Sequence, residues 1–337
     1  AYSGELALIL TLSDPLSGED LMRENWRTTW RRFVERRDGR KLRPLASVMQ
    51  EARLEVDYPA QGTCAACGLR PRPADGERCD SCAAEFALGQ TLPSARAIFW
   101  RRVDGEPDGR RPGQALFGNI LVEAKSELPK RLREGEVAGY ALGFGDSAPE
   151  TGLPWRLLAN HVPTWEKQEW DDPRFEAALE EVEDIDRLEE GALVTMQHLA
   201  HVDCEQVNGR LVGRPMLAVL KADVDDLGQI FGRGLGKDQS IARTLALSRL
   251  LDAFFSGWLP EFMRKHPRFR WIYTVYAGGD DLLLIGPWRT MLDFAVALRS
   301  GFTQFAGNNP DLHLSAGIEF VTPDEPLNRS VRRAEER

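Results

Sequence analysis

Tyr276-Ala277-Gly278-Gly279-Asp280-Asp281 closes one apolar, aromatic run and opens another that is wholly apolar. Two glycines in a hairpin make a turn without side chains, so a triphosphate can come close to the backbone. A second acidic run, Asp223-Val224-Asp225-Asp226, ends the apolar stretch 215–222. Brought to one place, carboxylates from both runs repel each other unless cations neutralise them. Mg²⁺ prefers oxygen ligands, keeps several waters and bridges protein carboxylates to phosphates. Two such ions, about 3.5–4 Å apart, activate a 3′-hydroxyl and stabilise a pyrophosphate leaving group. Taken alone, Gly-Gly-Asp-Asp is equally a surface turn with solvated acids, because Gly and Asp dominate turns. The second acidic cluster is what points to a site.

The other constellation is Cys64-x-x-Cys67 with Cys79-x-x-Cys82, eleven residues apart. Each pair sits on a tight turn, marked by Gly68 after one and Asp80-Ser81 within the other. Two thiolates at this spacing chelate one ion, and two such knuckles complete a tetrahedral four-sulfur shell. A zinc ribbon is the natural reading, with an iron–sulfur cluster as its competitor. A closed shell has no open position, so this zinc would staple a small insert and do no catalysis. Cys204 reads as a small hydrophobe. Four cysteines within 19 residues and a fifth alone do not resemble a secreted disulfide framework.

The elements that must position the acids are legible from residue 214 onward. A buried strand is expected at 215–222, ending at Asp223. A long amphipathic helix at 238–265 carries Ile241, Leu245, Leu251, Phe254, Phe255 and Trp258 at helical intervals. Strands at 269–277 and 280–286 flank the Gly278-Gly279 turn, followed by a helix at 288–306 and a strand at 313–321. The order β-α-β-β-α-β is the split βαβ or ferredoxin-like arrangement, an antiparallel sheet backed by two helices, of α+β class. In it the end of the first strand lies beside the hairpin joining the second and third. Asp223 is therefore expected to meet Asp280 and Asp281 at one sheet edge.

Upstream, residues 5–12 read as a buried strand and 19–37 as a helix with Leu21, Trp26, Trp30, Phe33 and Val34 on one face. From Met22 to Pro44 there are nine basic and three acidic residues. Residues 94–170 read as mixed strands and loops. A helix is expected at 171–190, where ten residues are acidic and two basic. The 337 residues have room for about two domains and a real core, with 42% hydrophobic and 28% charged residues. Disorder is excluded as the main reading. The net charge of −9 argues against a generic basic nucleic-acid binder. It comes largely from 171–190, however, so it does not exclude a nucleic-acid-associated subunit whose basic helix faces RNA. No run of 18 apolar residues exists and Ala1-Tyr2-Ser3-Gly4 is no signal peptide, so no membrane partner and a cytoplasmic location are expected. The chain is expected to begin inside a domain.

The runs Leu220-Lys221-Ala222-Asp223-Val224-Asp225-Asp226-Leu227-Gly228 and Tyr276–Leu282, then Gly286-Pro287-Trp288 and Leu314-Ser315-Ala316-Gly317-Ile318, resemble one family in order. With the paired CxxC upstream, the chain is similar to the large palm-domain subunit of type III CRISPR effector complexes, more the Csm than the Cmr branch. The match is close over about 60–95 and 210–337, and loose elsewhere. The resemblance implies two palm domains akin to nucleotide cyclases and polymerases, of which only the second carries Gly-Gly-Asp-Asp. It implies that this palm joins ATP into cyclic oligoadenylates, second messengers for defence nucleases, when the complex holds target RNA. Carried over, Asp280 and Asp281 are the catalytic metal-binding acids, Asp223 is the first-strand ligand for Mg²⁺ or Mn²⁺, and Gly278 and Gly279 face the phosphates. Val224 and Ser248 are nucleotide-contact candidates, although Ser248 is equally a helix-surface or packing serine. Other subunits of the complex, crRNA, target RNA and ATP are the implied partners. The implied division is 1–58 as the end of a first palm with the basic helix, 59–95 as zinc ribbon, 96–210 as a mixed region, and 211–337 as catalytic palm.

The sequence departs from the family's fuller pattern. It has no adjacent His-Asp pair, so no HD nuclease is expected in it. It opens on what resembles the end of the first palm and closes where the family continues. Since the family's ATP pair lies between the palms, this chain is expected to hold part of that site. The alternatives are an inactive scaffold subunit of the same complex and a cyclic-di-GMP synthase. The latter is disfavoured by Leu282, where that family has an aromatic residue, and by the cysteines.

Overall fold

The computed structural model describes residues 16–41, 62–68, 70–74, 76–102, 114–116, 120–132, 136–143, 152–170, 172–175, 190–325 and 327–336. The strand expected at 5–12 lies outside them, as does most of the acidic helix at 171–190. The chain divides into two compact units. One takes Ala1–Leu142, Pro149–Trp155 and Gly228–Ala246; the other takes Gly143–Ala148, Arg156–Leu227 and Leu247–Arg337.

In the first unit, α1 (Arg23–Lys41) replaces the helix expected at 19–37. Its aromatic side packs inward, with Trp26 buried and Trp30 and Phe33 half-buried: Trp26 meets Trp30, and Trp30 meets Phe33 and Phe231, in tilted ring contacts, and Trp26 Nε1 donates to Thr244 Oγ1 at 3.3 Å. The cysteine segment leads into α2 (Asp80–Thr91). Region 94–170, which carries no clear topology in the sequence, contains a five-stranded sheet. Its strands are β1 (Ala97–Arg102), β2 (Gln114–Leu116), β3 (Ile120–Lys125), β4 (Glu136–Gly143) and β5 (Trp155–Leu157), ordered β2-β3-β1-β4-β5. Phe99 fills its centre, and Gly139 opposite has no room for a Cβ, which would lie 2.5 Å from the Phe99 ring.

In the second unit, α3 (Met196–His201) and the hairpin β6 (Glu205–Val207) and β7 (Arg210–Val212) precede the palm. Asn208 and Gly209, with φ of 53° and 76°, make that hairpin's two-residue turn. The palm is a sheet of β8 (Leu217–Val224), β9 (Tyr273–Gly278), β10 (Asp281–Pro287) and β11 (Leu314–Val321), ordered β11-β8-β10-β9. Every neighbouring pair is antiparallel. This is the expected β-α-β-β-α-β order, with the first strand central beside the third. α4 (Ile241–Asp252) and α5 (Leu259–Lys265) form the first crossover, and α6 (Trp288–Phe305) the second.

Alternation sorts the strands into two faces. Ala218, Leu220, Ala222, Leu282 and Leu284 are all nearly inaccessible on one face, where α6 packs against β8 and β10. Phe254 meets Phe302 edge-on at 5.3 Å, and Phe269 meets Phe294 at 5.3 Å, closing that layer. On the other face Leu217, Val219, Leu283 and Ile285 pack with Trp165, Phe175, Leu199 and Trp271. Among the described residues that cluster packs at one end of the sheet, and the acids lie at the other.

Three local expectations change. The first crossover is helical over the expected span, but Ala253–Trp258 is π-helical and sits between α4 and α5. The second expected palm strand begins at Tyr273, because Phe269–Trp271 coil into a 3₁₀ turn. An unexpected last helix, α7 (Leu327–Glu335), lies on β11 and β8. Its approach is close: a Cβ on Gly317 would fall 1.9 Å from the Ala334 carbonyl oxygen.

Candidate functional site

The ladder register builds the acidic edge. Asp281 on β10 pairs with Asp223 on β8, which pairs in turn with Ser315 on β11. Direct antiparallel partners share a face, so these three side chains project together. The β9–β10 turn is the two residues Gly279 and Asp280. Gly279 has φ +68° while Asp280 is not left-handed, the pattern of a type II′ hairpin with Gly first. The Val224 N–H donates to the Asp280 carbonyl at 3.3 Å and ties the turn to β8. Ser315 Oγ donates to Asp225 Oδ2 at 2.8 Å, and the Asp225 N–H donates to the His313 carbonyl at 3.1 Å.

Electrostatics follow from this crowding. Partial burial, then the charges of Asp280 and Asp281, push the Asp223 carboxyl above its ordinary value. Burial also raises the Tyr276 phenol, with Lys221 opposing and Asp281 reinforcing. Burial alone would lower Lys221, but its bond to Glu335 and the nearby Tyr276 and Asp281 outweigh that and raise it. Asp223, Asp225 and Asp281 line a cleft of about 1070 Å³ with Lys221, Ser315 and Glu335. These hard oxygen donors on an open face, with one carboxyl already destabilised by its neighbours, fit Mg²⁺ or Mn²⁺. The acids are looser than the expected converging trio. Among the described residues only the four cysteines form a group of three or more whose ligand atoms lie within 4.8 Å of one another.

The expected site residues separate by role. Asp223, Asp280 and Asp281 share one sheet edge, with Gly278 and Gly279 in the strand end and turn between them. Val224 has a buried side chain and a committed N–H, so it sets register instead of offering a side-chain contact. Ser248 is exposed on α4. The helical serine against the hairpin is Ser256: a Cβ on Gly278 would lie 3.9 Å from its Oγ, which donates to Asp252 Oδ1 at 3.1 Å. Lys221 and Ser315 line the same cleft without standing out in the sequence, where Asp225 is visible only as a member of the second acidic run. Counting back by two from Asp223 along the strand would have found Lys221 on the same face.

The four cysteines form the second centre. Thr63 and Pro71 bridge across the first knuckle, while the second opens α2 with Cys79 as its N-cap. The Cys79 N–H donates to Cys64 Sγ at 3.2 Å, and Cys67 Sγ lies 4.0 Å from Cys79 Sγ. Backbone N–H groups of Cys67 and Cys79 lower the Cys64 thiol to about 6, whereas burial and the neighbouring thiols push Cys82 up to about 12. A tetrahedral zinc with Zn–S of about 2.3 Å holds its sulfurs about 3.8 Å apart. The spacing fits one ion; a multi-iron cluster spreads its thiolates wider. Cys204 is buried against Gly213, away from this group in sequence, as expected of a small hydrophobe.

Among the described residues no helix is long and apolar enough to cross a membrane. Residues 216–337 match the family model for the second palm domain of Cas10/Cmr2. A CRISPR system single-strand-specific deoxyribonuclease Cas10/Csm1 (subtype III-A) of Methanocaldococcus jannaschii is 27% identical over 340 residues, 91% of this chain and 39% of that protein. The protein of the same description from Enterococcus italicus is 41% identical over 121 residues, 36% of this chain and 15% of the relative. The chain thus spans about two fifths or less of these relatives. In fold it is similar to Csm1 in a Csm1–Csm4 cassette crystallised with one ATP, with a TM-score of 0.61 and 18% identity over 96% of this chain and 38% of that one. The apo cassette gives 0.59 at 18% identity, with the same coverage of both chains. In sequence the chain is similar to the type III-A Cas10/Csm1 proteins and in fold to Csm1, and residues 216–337 are similar to the second palm domain of Cas10/Cmr2.

Proposed function

We propose that the palm of this chain is a nucleotidyltransferase that joins ATP into cyclic oligoadenylates, as a subunit of a type III-A CRISPR complex that has bound target RNA. The observation that carries the reading is Asp223 and Asp281 in direct register on the open face, with Asp280 in the adjoining glycine turn. Support for the substrate comes from the Csm1–Csm4 cassettes crystallised with one ATP and with pppApA, which share this fold.

In this reading Asp223, Asp280 and Asp281 hold Mg²⁺ or Mn²⁺. The bound metal would supply the positive charge that activates a 3′-hydroxyl and stabilises the departing pyrophosphate. Gly278 and Gly279 keep side chains away from the phosphates. The ladder fixes the separation of Asp223 and Asp281, and the Val224–Asp280 bond fixes the turn. Zn²⁺ on the four cysteines is structural. Csm4-type and other effector subunits, crRNA and target RNA are the proposed partners. The deoxyribonuclease activity in the relatives' description is not assigned to the palm.

The test is Asp280→Ala with Asp281→Ala in the intact complex, given ATP, Mg²⁺ and target RNA. Oligoadenylate product, read by mass spectrometry, should be lost while assembly is unchanged. Product formation by the double variant would refute the assignment. If the wild-type complex assembles but makes no product, the chain is a scaffold.

A further inference from the structure

Lys221 is a cation set among the acids. It precedes Asp223 by two residues on β8, so it projects from the same face about 7 Å along the strand. Its cross-strand partners are Leu283 and Gly317, neither of which competes for its charge. Its side chain is 19% exposed, and its ammonium donates to Glu335, the last residue of α7. Glu335 is 47% exposed, and both residues line the cleft that holds Asp223 and Asp281.

The rest of α7 has other commitments. Arg333 Nε donates to Glu319 Oε1 at 2.6 Å, and the same guanidinium bonds Glu325. Ser330 and Ala334 are buried, and Ala334 sits against Gly317. The helix is therefore pinned to the sheet, and Glu335 is the α7 carboxylate at the cleft wall. An ion pair whose carboxylate is half-exposed is weak and is exchanged readily for a stronger anion. A nucleotide polyphosphate carries several charges and would take the lysine from a single carboxylate.

We propose that Lys221 binds the polyphosphate of the substrate nucleotide, and that Glu335 holds it until the nucleotide arrives. The inference rests on the nucleotidyl-transfer reading and adds a phosphate-binding cation to the acids. It also makes the end of α7 a control on nucleotide affinity, since whatever moves Glu335 changes the competition for Lys221.

The test measures binding of Mg²⁺–tripolyphosphate to the intact protein by calorimetry, alongside ATP kinetics in the assembled complex. Lys221→Ala should weaken tripolyphosphate about tenfold or more, the scale of one lost charge-assisted contact, and raise KM for ATP more than it lowers kcat. Lys221→Arg should stay within about threefold of wild type, because the charge is kept. Glu335→Gln should tighten binding about two- to fivefold by removing the competitor. If Lys221→Ala binds like wild type while the Asp280/Asp281 double variant has lost binding, Lys221 is not the phosphate cation and the nucleotidyl reading survives. If neither variant changes binding, both readings fall. Should Lys221→Ala misfold, Glu335→Gln decides: weaker binding would show that Glu335 orients Lys221 and does not compete for it.

Discussion

Asp223 is destabilised by the neighbours that would make it useful. Burial and the charges of Asp280 and Asp281 raise its carboxyl, so above its ordinary pKa the native state holds protons more tightly than the unfolded chain does. Stability therefore falls as pH climbs from that ordinary value through the raised one, and the deficit is fully present at neutral pH. Asp223→Asn removes the charge and keeps the shape. The metal-free protein should melt roughly 1–3 °C higher at pH 7, a small gain because the group is solvent-screened. The rise in melting temperature that Mg²⁺ gives the wild type should shrink or vanish in the variant. A metal-free Asp223→Asn protein that is less stable would show that the charge is not destabilising, and one that keeps its full response to Mg²⁺ would show that the Asp223 carboxylate is not a metal ligand. At this scale the acids were readable because two acidic runs end apolar strands that the β-α-β-β-α-β order places side by side. Lys221 and Ser315 were not, because each joins the site through period-two alternation and a cross-strand partner distant in sequence.

The elements divide the same way. β8 and β10 were legible because both are buried on two faces and read as continuous apolar runs. α7 was not: Leu327, Val331 and Ala334 are a thin apolar stripe among arginines and glutamates, and the helix exists because β11 offers Gly317 as its seat. The π-helical segment at Ala253–Trp258 and the turn at Phe269–Trp271 are tertiary choices, made by packing their aromatics against α6, that propensity does not encode. The cysteine knuckles were legible in sequence, but their continuation into a helix was not. α2 has no side-chain N-cap, is largely solvent-exposed, and at 12 residues is marginal on its own. Its order should depend on the metal that draws four thiols together. Removing metal with a strong chelator, or substituting Cys64→Ser, should abolish hydrogen-exchange protection across residues 79–91. Protection in β8 and β10, which belong to another unit, should stay. Unchanged protection in α2 after verified metal loss would make the cysteine centre dispensable for its folding.

For the molecule as a whole, net charge is a poor guide to partners because it averages over segments of opposite sign. The sum of −9 matches an acidic protein, yet α1 buries Trp26, half-buries Trp30 and Phe33, and turns Arg27, Arg31 and Arg32 outward. The aromatic contacts orient the helix, so the arginines form a basic strip on one side. On the proposed reading the chain works beside crRNA and target RNA, and such a strip is suited to phosphates; the ordinary alternative is a solvated helix face. Salt dependence separates the two. Each phosphate contact on a single strand contributes about 0.7 to the slope of log K against log salt. Replacing Arg27, Arg31 and Arg32 with Ala should reduce that slope by about 2 for an unrelated single-stranded RNA, measured by fluorescence anisotropy on the intact protein. Affinity should drop most at low salt and converge with wild type at high salt, because the lost term is counterion release. The melting temperature should hardly move, since these side chains lie opposite the aromatic contacts that anchor the helix. Equal slopes in wild type and variant would leave α1 a solvated face and place any RNA contact elsewhere in the chain.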